Sequence, residues 1–443
     1  MQKLKSKRSI ILYGCSGLGV NMLNIIVGSY LCSALLVGGF KEHVESWTYL
    51  NKNLVIGGLW AVLVFFAKAL DGIIDLPLAT FADKLNTKMG RRKTAILIGI
   101  VPMLAAYLLF LMPLDNGATL LNTIWFGVTL CVFYTCYTLT MLTYYATFAE
   151  VCETEKETAL LSTTKSICDV VYFSLGFALI PVFISLSINI RVVALIFLPL
   201  VLTMVIPFFL LKEDRDVSVE EKPLTLRESV AVSLKNRKYM YWLYTASIMT
   251  IGLQLFLGGI NELFSNTGLN MAIVMASSFA PVPFTLMLYN KIKKRSGFAV
   301  AFRYSLVIFS VGMLIMFACS LMADKMTSLQ LTLVAILGGI LVSFSLGALF
   351  AVNYSVPTFY ARKEREQRGL EVSGMYFAVQ GLLEGIATGV ATGLILVCLK
   401  ELHYRYGFFI KLLPIVVCVC FAISFLMSYA FDDELAYMDK ERK

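Results

Sequence analysis

The amino-acid sequence predicts an all-α membrane protein, with twelve transmembrane helices in two pseudo-symmetric six-helix bundles. Three observations lead there. Of the 443 residues, 58% are hydrophobic and only 15% are charged, with a mean hydropathy of +0.77; a soluble chain of this length carries more charge. Twelve apolar runs reach the ~20 residues that a helix needs to cross a bilayer. They cover 10–38, 53–82, 94–113, 119–148, 165–188, 191–211, 239–262, 269–290, 299–322, 328–358, 372–399 and 408–431. The longest polar interruption, 212–238, follows the sixth run. It divides the chain into an N-terminal bundle (1–211), a cytoplasmic linker (212–238) and a C-terminal bundle (239–443).

The distribution of charge explains the net +9. With those spans, Lys and Arg fall 30 to 7 on the two sides of the membrane, and Lys68 lies within it. The positive-inside rule then places both termini in the cytoplasm of a plasma (cell inner) membrane protein. The basic excess reads as topology, so no nucleic acid is expected as a partner. The first run is too long for a signal-peptide core, and no small-x-small cleavage site follows it, so it reads as a retained span. Ten cysteines are scattered without C-x-x-C, mostly within spans, and read as small apolar residues. His43 and His403 fall in expected external loops, which argues against histidine catalysis or zinc.

The first span carries Tyr13-Gly14-Cys-Ser-Gly17-Leu-Gly19-Val-Asn21-Met-Leu-Asn24. Its glycines permit close helix approach, and Asn21 and Asn24 share a face. They read either as interhelical hydrogen-bonding groups or as substrate ligands. The second span holds Lys68, Asp71 and Asp75 at spacings of three and four, ahead of Pro77. All three therefore project from one helical face, where each charge costs at least ~2.5–3.5 kcal/mol if it meets lipid at mid-depth. Two carboxylates one turn apart repel unless a cation or a proton lies between them. Asp71 and Asp75 are thus the candidate Na⁺ or H⁺ site, with Lys68 holding the site when it is empty. The bland reading is an ion pair that locks this helix to a neighbour.

The loop after the second span, Asp83 to Lys93, is echoed by Asn290 to Gly297 after the eighth, the same place in the second half. Parallel halves around a midplane cavity are a transporter layout. The fourth span contains Tyr134, Tyr137, Thr138, Thr140, Thr143, Tyr144 and Tyr145. So many hydroxyls exceed what an interfacial aromatic belt explains. Tyr137, Thr140, Tyr144 and Tyr145 are read as the wall of a wet cavity. In the second half Gln254, Asn261 and Asn353 are scattered, while Gln380 and Glu384 share one face of the eleventh span. Glu384 reads as the only deep acid of this half. It is protonated and structural, paired to another span, or part of a proton or substrate site. Gly381, Gly385, Gly389 and Gly393 beside it make a smooth packing face.

These residues resemble the glycoside–pentoside–hexuronide:cation symporters, the melibiose-permease-like branch of the major facilitator superfamily. Lys68, Asp71, Asp75, Pro77 and Met89-Gly90-Arg91-Arg92 follow that family's second-span order, a base, D-x-x-x-D, a proline and a basic G-[KR] loop. Tyr13-Gly14 through Asn21, Tyr145-Ala-Thr-Phe-Ala-Glu150 and Phe377-Ala-Val-Gln380 extend the likeness over most of the chain. The resemblance implies the major facilitator superfamily fold and cation binding at Asp71 and Asp75 supported by Lys68. It also implies a gating loop at Asp83, Gly90, Arg91 and Arg92, and substrate contacts from the polar residues of the cavity. Asn21 stands where sugar-transporting members place an aspartate. Met141 falls where they place a second one, and Gly385 where they place a lysine. The family also resembles sodium-coupled lysolipid transporters, so an amphipathic substrate is a second expectation.

The leading reading is a cation-coupled symporter of a sugar- or glycoside-like solute working by alternating access, with a monomer as the expected state. It works in contact with membrane lipid, without a cofactor beyond the coupling ion. A lipid-active enzyme would need a nucleophile–base pair or metal cluster, and the sequence has no H-E-x-x-H, G-x-S-x-G or P-loop pattern. A non-transporting sensor on the same fold is a further alternative.

Overall fold

The computed structural model describes residues 4, 6–41, 43–85, 87–152, 155–211, 236–266, 271–323, 325–368 and 373–438. Their regular structure is helical, with no strand among them. Among the described residues, twelve helical segments are long and apolar enough to cross a membrane. The linker expected at 212–238 lies outside the described residues except for its last three.

Contacts divide the chain into two compact units, Met1–Leu36 with Glu45–Pro223, and Val37–Val44 with Leu224–Lys443. Each unit repeats the same packing scheme. In the first, span 4 (Leu120–Ala146) packs against span 3 (Arg91–Phe110) and span 2 (Gly57–Lys84). Span 1 packs against spans 5 and 6, through Lys7–Gly14 on Glu155–Ser185 and Leu18–Ile25 on Leu198–Val205. In the second, span 10 (Ser328–Arg368) packs against span 9 (Phe298–Met322) and span 8 (Met271–Phe279 and Val282–Ser296). There span 7 (Arg237–Ser265) packs against spans 11 and 12. The scheme follows from helical amphipathicity turned inside out. On span 4, Leu121, Ile124, Val128 and Val132 form an exposed apolar stripe, while Phe126, Leu130, Phe133 and Tyr134 on the opposite side are buried.

The halves match in backbone detail as well. Gly90 precedes span 3 with φ 100° and ψ 154°, and Gly297 precedes span 9 with φ 93° and ψ 168°. That region of conformational space is essentially restricted to glycine. The echo between the two basic loops is therefore a repeated turn as well as a repeated charge pattern. A Cβ on Gly99 would meet Thr140 Oγ1 at 2.3 Å, and one on Gly312 would meet the Gly338 carbonyl oxygen at 2.8 Å. The same pair of spans is drawn close by glycine in each unit.

Several spans depart from the continuous helices the sequence suggests. Span 1 breaks at 15–17, resumes as Leu18–Ile25 and ends in a π-helical turn, Ile26–Leu31. Span 8 breaks at Ala280–Pro281, where the proline has no N–H to continue the ladder. Span 10 is a 41-residue helix that runs on past its expected end to Arg368. Span 11 continues through a π-helical turn, Gly389–Ile395, into Leu396–Tyr406, so Lys400 and His403 lie on a helix rather than in an external loop. Val37–Val44, counted by sequence with the first bundle, packs within the second unit.

The C-terminal segment is seated on the linker end of the second unit. Lys238 Nζ pairs with Asp432 Oδ2 at 3.0 Å, and Tyr360 Oη donates to Asp432 Oδ1 at 3.1 Å. A Cβ on Gly297 would stand 2.7 Å from the Ala436 carbonyl oxygen. Gly297→Ala adds this clash to a backbone conformation that costs a non-glycine residue ~1–3 kcal/mol. It should lower the thermal midpoint of the purified protein by several degrees, whereas Gly58→Ala, which meets nothing within 4 Å, should lower it far less.

Candidate functional site

Lys68, Asp71 and Asp75 lie on the single helix Gly57–Lys84, which runs through Pro77. Span 4 supplies the partners of the first two. Thr138 Oγ1 donates a hydrogen bond to Asp71 Oδ1. One turn before it, Tyr134 presents its ring face to Lys68, whose Nζ stands 3.8 Å from the ring centroid. A desolvated cation–π contact of this kind contributes ~2 kcal/mol or more. Base and acid are thus held separately, and no ion pair joins Lys68 to Asp71 or Asp75 among the described residues. Asp75, one turn further along, makes no hydrogen bond or ion pair with a described residue.

Span 1 closes the same site. Tyr137 Oη donates to Asn21 Oδ1 at 2.9 Å. A Cβ placed on Gly28, within the π-helical turn, would lie 3.2 Å from Tyr134 Oη and 3.7 Å from Lys68 Nζ. Glycine there leaves room for both groups, and π-turns recur at functional positions. Asn24, one turn earlier on the same face, has a buried Oδ1 without a hydrogen bond, and so does Tyr134 at its hydroxyl. Buried polar atoms are rarely left so. The two carboxylates and the Thr138 hydroxyl, which keeps its lone pairs when it donates, make an all-oxygen donor set. Among the described residues no group of three or more His, Cys, Asp and Glu gathers for a metal ion. The set suits a monovalent hard cation or a proton rather than zinc, which takes nitrogen and sulfur ligands.

The proposed cavity wall of span 4 is divided by the structure. Thr140 is fully buried, bonded through Oγ1 to the Cys136 carbonyl and packed on Gly99 of span 3. Tyr144 is also fully buried, and its hydroxyl reaches the carbonyls of Tyr13 at 2.6 Å and Gly14 at 3.2 Å. The Tyr13 carbonyl also accepts a turn bond from the Ser16 amide at 3.1 Å, so the tyrosine adds to the capping at the break in span 1. Thr140 and Tyr144 are therefore packing and capping groups, a correction to their reading as cavity wall: hydroxyl content shows polarity, not which face carries it. Tyr145 is 38% exposed, and its ring centroid lies 5.0 Å from Lys165 Nζ. Lys165 is ion-paired with Asp169 on span 5, a half-exposed pair overlooked because Lys165 sits where a topogenic charge is expected.

In the second unit Gln380 is the hub. Its Nε2 donates to Glu384 Oε1 at 2.7 Å and to the Asn353 carbonyl at 2.7 Å, while Trp242 Nε1 donates to its Oε1 at 3.2 Å. Asn353 Oδ1 is buried and unbonded. Glu384 is not the sole deep acid of this unit, since Glu262 is fully buried and pairs with Lys400 at 2.7 Å. Sequence reasoning missed Thr138 and Tyr134 as partners of the charged helix and Trp242 as a partner of Gln380. Hydroxyl density signalled span 4, but nothing in the sequence gave the rotational setting. In the loop, Gly90 caps span 3 and its carbonyl accepts from Thr87 and Thr94, Arg91 is half-buried and Arg92 is buried. The Asp83 side chain lies outside the described residues.

The profile of the family described as MFS/sugar transport protein matches residues 12–429. The chain belongs to that family. No curated protein matches it by sequence. Among solved structures, the nucleoside transporter NupG superposes with a TM-score of 0.59 at 12% identity, covering 95% of this chain and 98% of that one. A bacterial homologue of the human lysosomal transporter Spinster gives 0.59 at 12% identity, with 99% of each chain covered. A bacterial homologue of the iron transporter ferroportin gives 0.58 at 13% identity, covering 96% and 98%. At these identities the likeness shows the fold alone. Family and fold make this an integral membrane secondary transporter of the major facilitator superfamily, moving a small molecule by alternating access rather than catalysing a reaction.

Tyr144→Phe removes the hydroxyl donor from the Gly14 carbonyl at the span 1 break, while Tyr13 keeps its bond from the Ser16 amide, and an unsatisfied buried group costs ~1–3 kcal/mol. It should lower the thermal midpoint clearly. Tyr145→Phe should change it little, because surface substitutions of this kind usually stay within ~0.5 kcal/mol.

Proposed function

We propose that this family member is a symporter, coupling entry of Na⁺ or H⁺ at Asp71 and Asp75 to movement of a sugar- or glycoside-like solute. The observation that supports it most is the separation of base from acid. Lys68 is held on the Tyr134 ring and makes no ion pair with either carboxylate among the described residues. Without a mobile positive partner the pair is a like-charge couple in a low dielectric. A cation between Asp71 and Asp75 removes that repulsion and favours the conformation in which it binds. Thr138 positions Asp71, and span 4 carries the effect to Tyr137 and Asn21. Coupling between cation and substrate sites is then a reciprocal free energy of ~1–3 kcal/mol. Both termini face the cytoplasm, a reading that the charge asymmetry of the sequence supports. The protein works in the plasma membrane.

Substrate contacts come from Asn24, Tyr134 and Tyr145 in the first unit and from Asn353, Gln380 and Glu384 in the second. One observation favours the amphipathic alternative. Asn21 Oδ1 already accepts from Tyr137, which uses one of its two lone pairs and ties this side chain to span 4 rather than leaving it free for a sugar hydroxyl. Thermal-shift screening over small glycosides and lysolipids, with and without Na⁺, separates the two.

Asp71→Asn and Asp75→Asn should each abolish cation-driven accumulation of the solute found in that screen while leaving a folded, monodisperse protein. Gradient-driven uptake at the normal rate by both variants would falsify the coupling assignment. Thr138→Val removes a hydrogen bond to a charged group, of ~1.5–3 kcal/mol. It should therefore weaken the cation dependence of substrate binding by about tenfold or more, read by titrating Na⁺ at fixed pH and then pH at fixed Na⁺. A response to Na⁺ identifies that ion, and a response to pH alone identifies H⁺.

A further inference from the structure

A second set of buried charges, unused by the transport site, lies where helix Arg237–Ser265 ends. Glu262 and Lys400 are 0% and 2% exposed, with Lys400 Nζ 2.7 Å from Glu262 Oε1. The other carboxylate oxygen, Oε2, is buried without a hydrogen bond. A buried ion pair seldom stabilises a fold more than apolar residues of the same shape, and this one has unused acceptor capacity.

Residues Val37–Val44 are seated on this pair. Asn266 Nδ2 donates to the Gly39 carbonyl and, at 2.8 Å, to the Glu262 carbonyl. The Lys41 amide donates to Ser265 Oγ at 3.0 Å. Phe40 is buried, with its ring centroid 5.3 Å from Lys400 Nζ. Two successive glycines make the fit possible. A Cβ on Gly38 would stand 2.9 Å from the Lys400 carbonyl oxygen. One on Gly39, at φ +108°, would stand 2.9 Å from Glu262 Cγ. With both Asn266 amide hydrogens so used, its Oδ1 accepts from His403 Nε2 at 3.1 Å. The seat is thus built from the last turn of span 7, the Leu396–Tyr406 helix and one aromatic ring.

The chain on both sides of this segment, up to Leu36 and from Glu45, belongs to the first unit, while the segment itself belongs to the second. The segment therefore lies on the chain path between two units that move against each other in alternating access. We propose that Val37–Val44 is a conformational latch. It is seated over the Glu262–Lys400 pair in one state of the transport cycle and lifts from it as a unit in the other, with Phe40 and the ammonium of Lys400 as its catch. This holds whichever cation or solute the transporter carries.

Hydrogen–deuterium exchange of the full-length protein in lipid nanodiscs tests it without a substrate. In the wild type, amides of 37–44 should exchange more slowly than a free chain and faster than the adjoining turn of span 7. Phe40→Ala and Lys400→Met should each accelerate that segment by about tenfold while the first turns of span 7 keep their protection. Should Lys400→Met fail to fold, Phe40→Ala leaves both charged residues in place and carries the same expectation. The K41C/S265C variant, oxidised to a disulfide alongside an identically treated wild type, should slow exchange of 37–44 well below wild type. Reduction should restore it. Unchanged exchange on unseating, equal loosening of the whole second unit, or a lock that alters nothing would each overturn the latch.

Discussion

A bilayer gives an ionised side chain no water to turn to, so each buried charge is fixed by whichever neighbouring helix can answer it. In the first unit that helix is span 4. It offers one hydroxyl to Asp71 and one aromatic face to Lys68, a turn apart, and so separates charges that would otherwise neutralise each other on their own helix. The separation leaves Asp75 without a hydrogen-bond or ion-pair partner among the described residues. Everything proposed for coupling depends on that imbalance, because a site closed by its own lysine has no use for a travelling cation.

The two units solve the same packing problem with the same pairs of helices but use their polar groups differently. Glycine brings spans 3 and 4, and again spans 9 and 10, into backbone contact. The glycine turns at Gly90 and Gly297 start the equivalent helices. Chemistry is asymmetric on this symmetric frame. The first unit gathers carboxylates, a lysine and hydroxyls, while the second gathers an amide hub around Gln380 and a sealed ion pair at Glu262 and Lys400. A transporter that binds a cation in one half and moves by rocking needs such a division, since only one half has to sense the ion.

The breaks in the helices serve the site. Span 1 interrupts its ladder at 15–17, and Tyr144 with Thr203 of span 6 takes up the carbonyls released there. That break and the π-turn at Ile26–Leu31 set the rotation of Asn21, Asn24 and Gly28 toward span 4. Tyr144, which looks like cavity lining in a one-dimensional reading, is thus tied to the backbone of span 1 at its break.

The membrane class, the twelve spans, the family and the charged face of span 2 were legible in the sequence, because hydropathy and i, i+3, i+4 spacing are local properties of the chain. Which hydroxyl meets Asp71, that Lys68 rests on a ring rather than on a carboxylate, and that Thr140 and Tyr144 are buried with their hydroxyls on backbone carbonyls were decided by tertiary structure. Helix rotation is set by neighbours distant in sequence. Lys400 shows the same limit from the other side. A lysine at the end of an apolar run reads as a solvated end marker, and only the arrival of Glu262 and Phe40 from elsewhere in the chain makes it a buried cation.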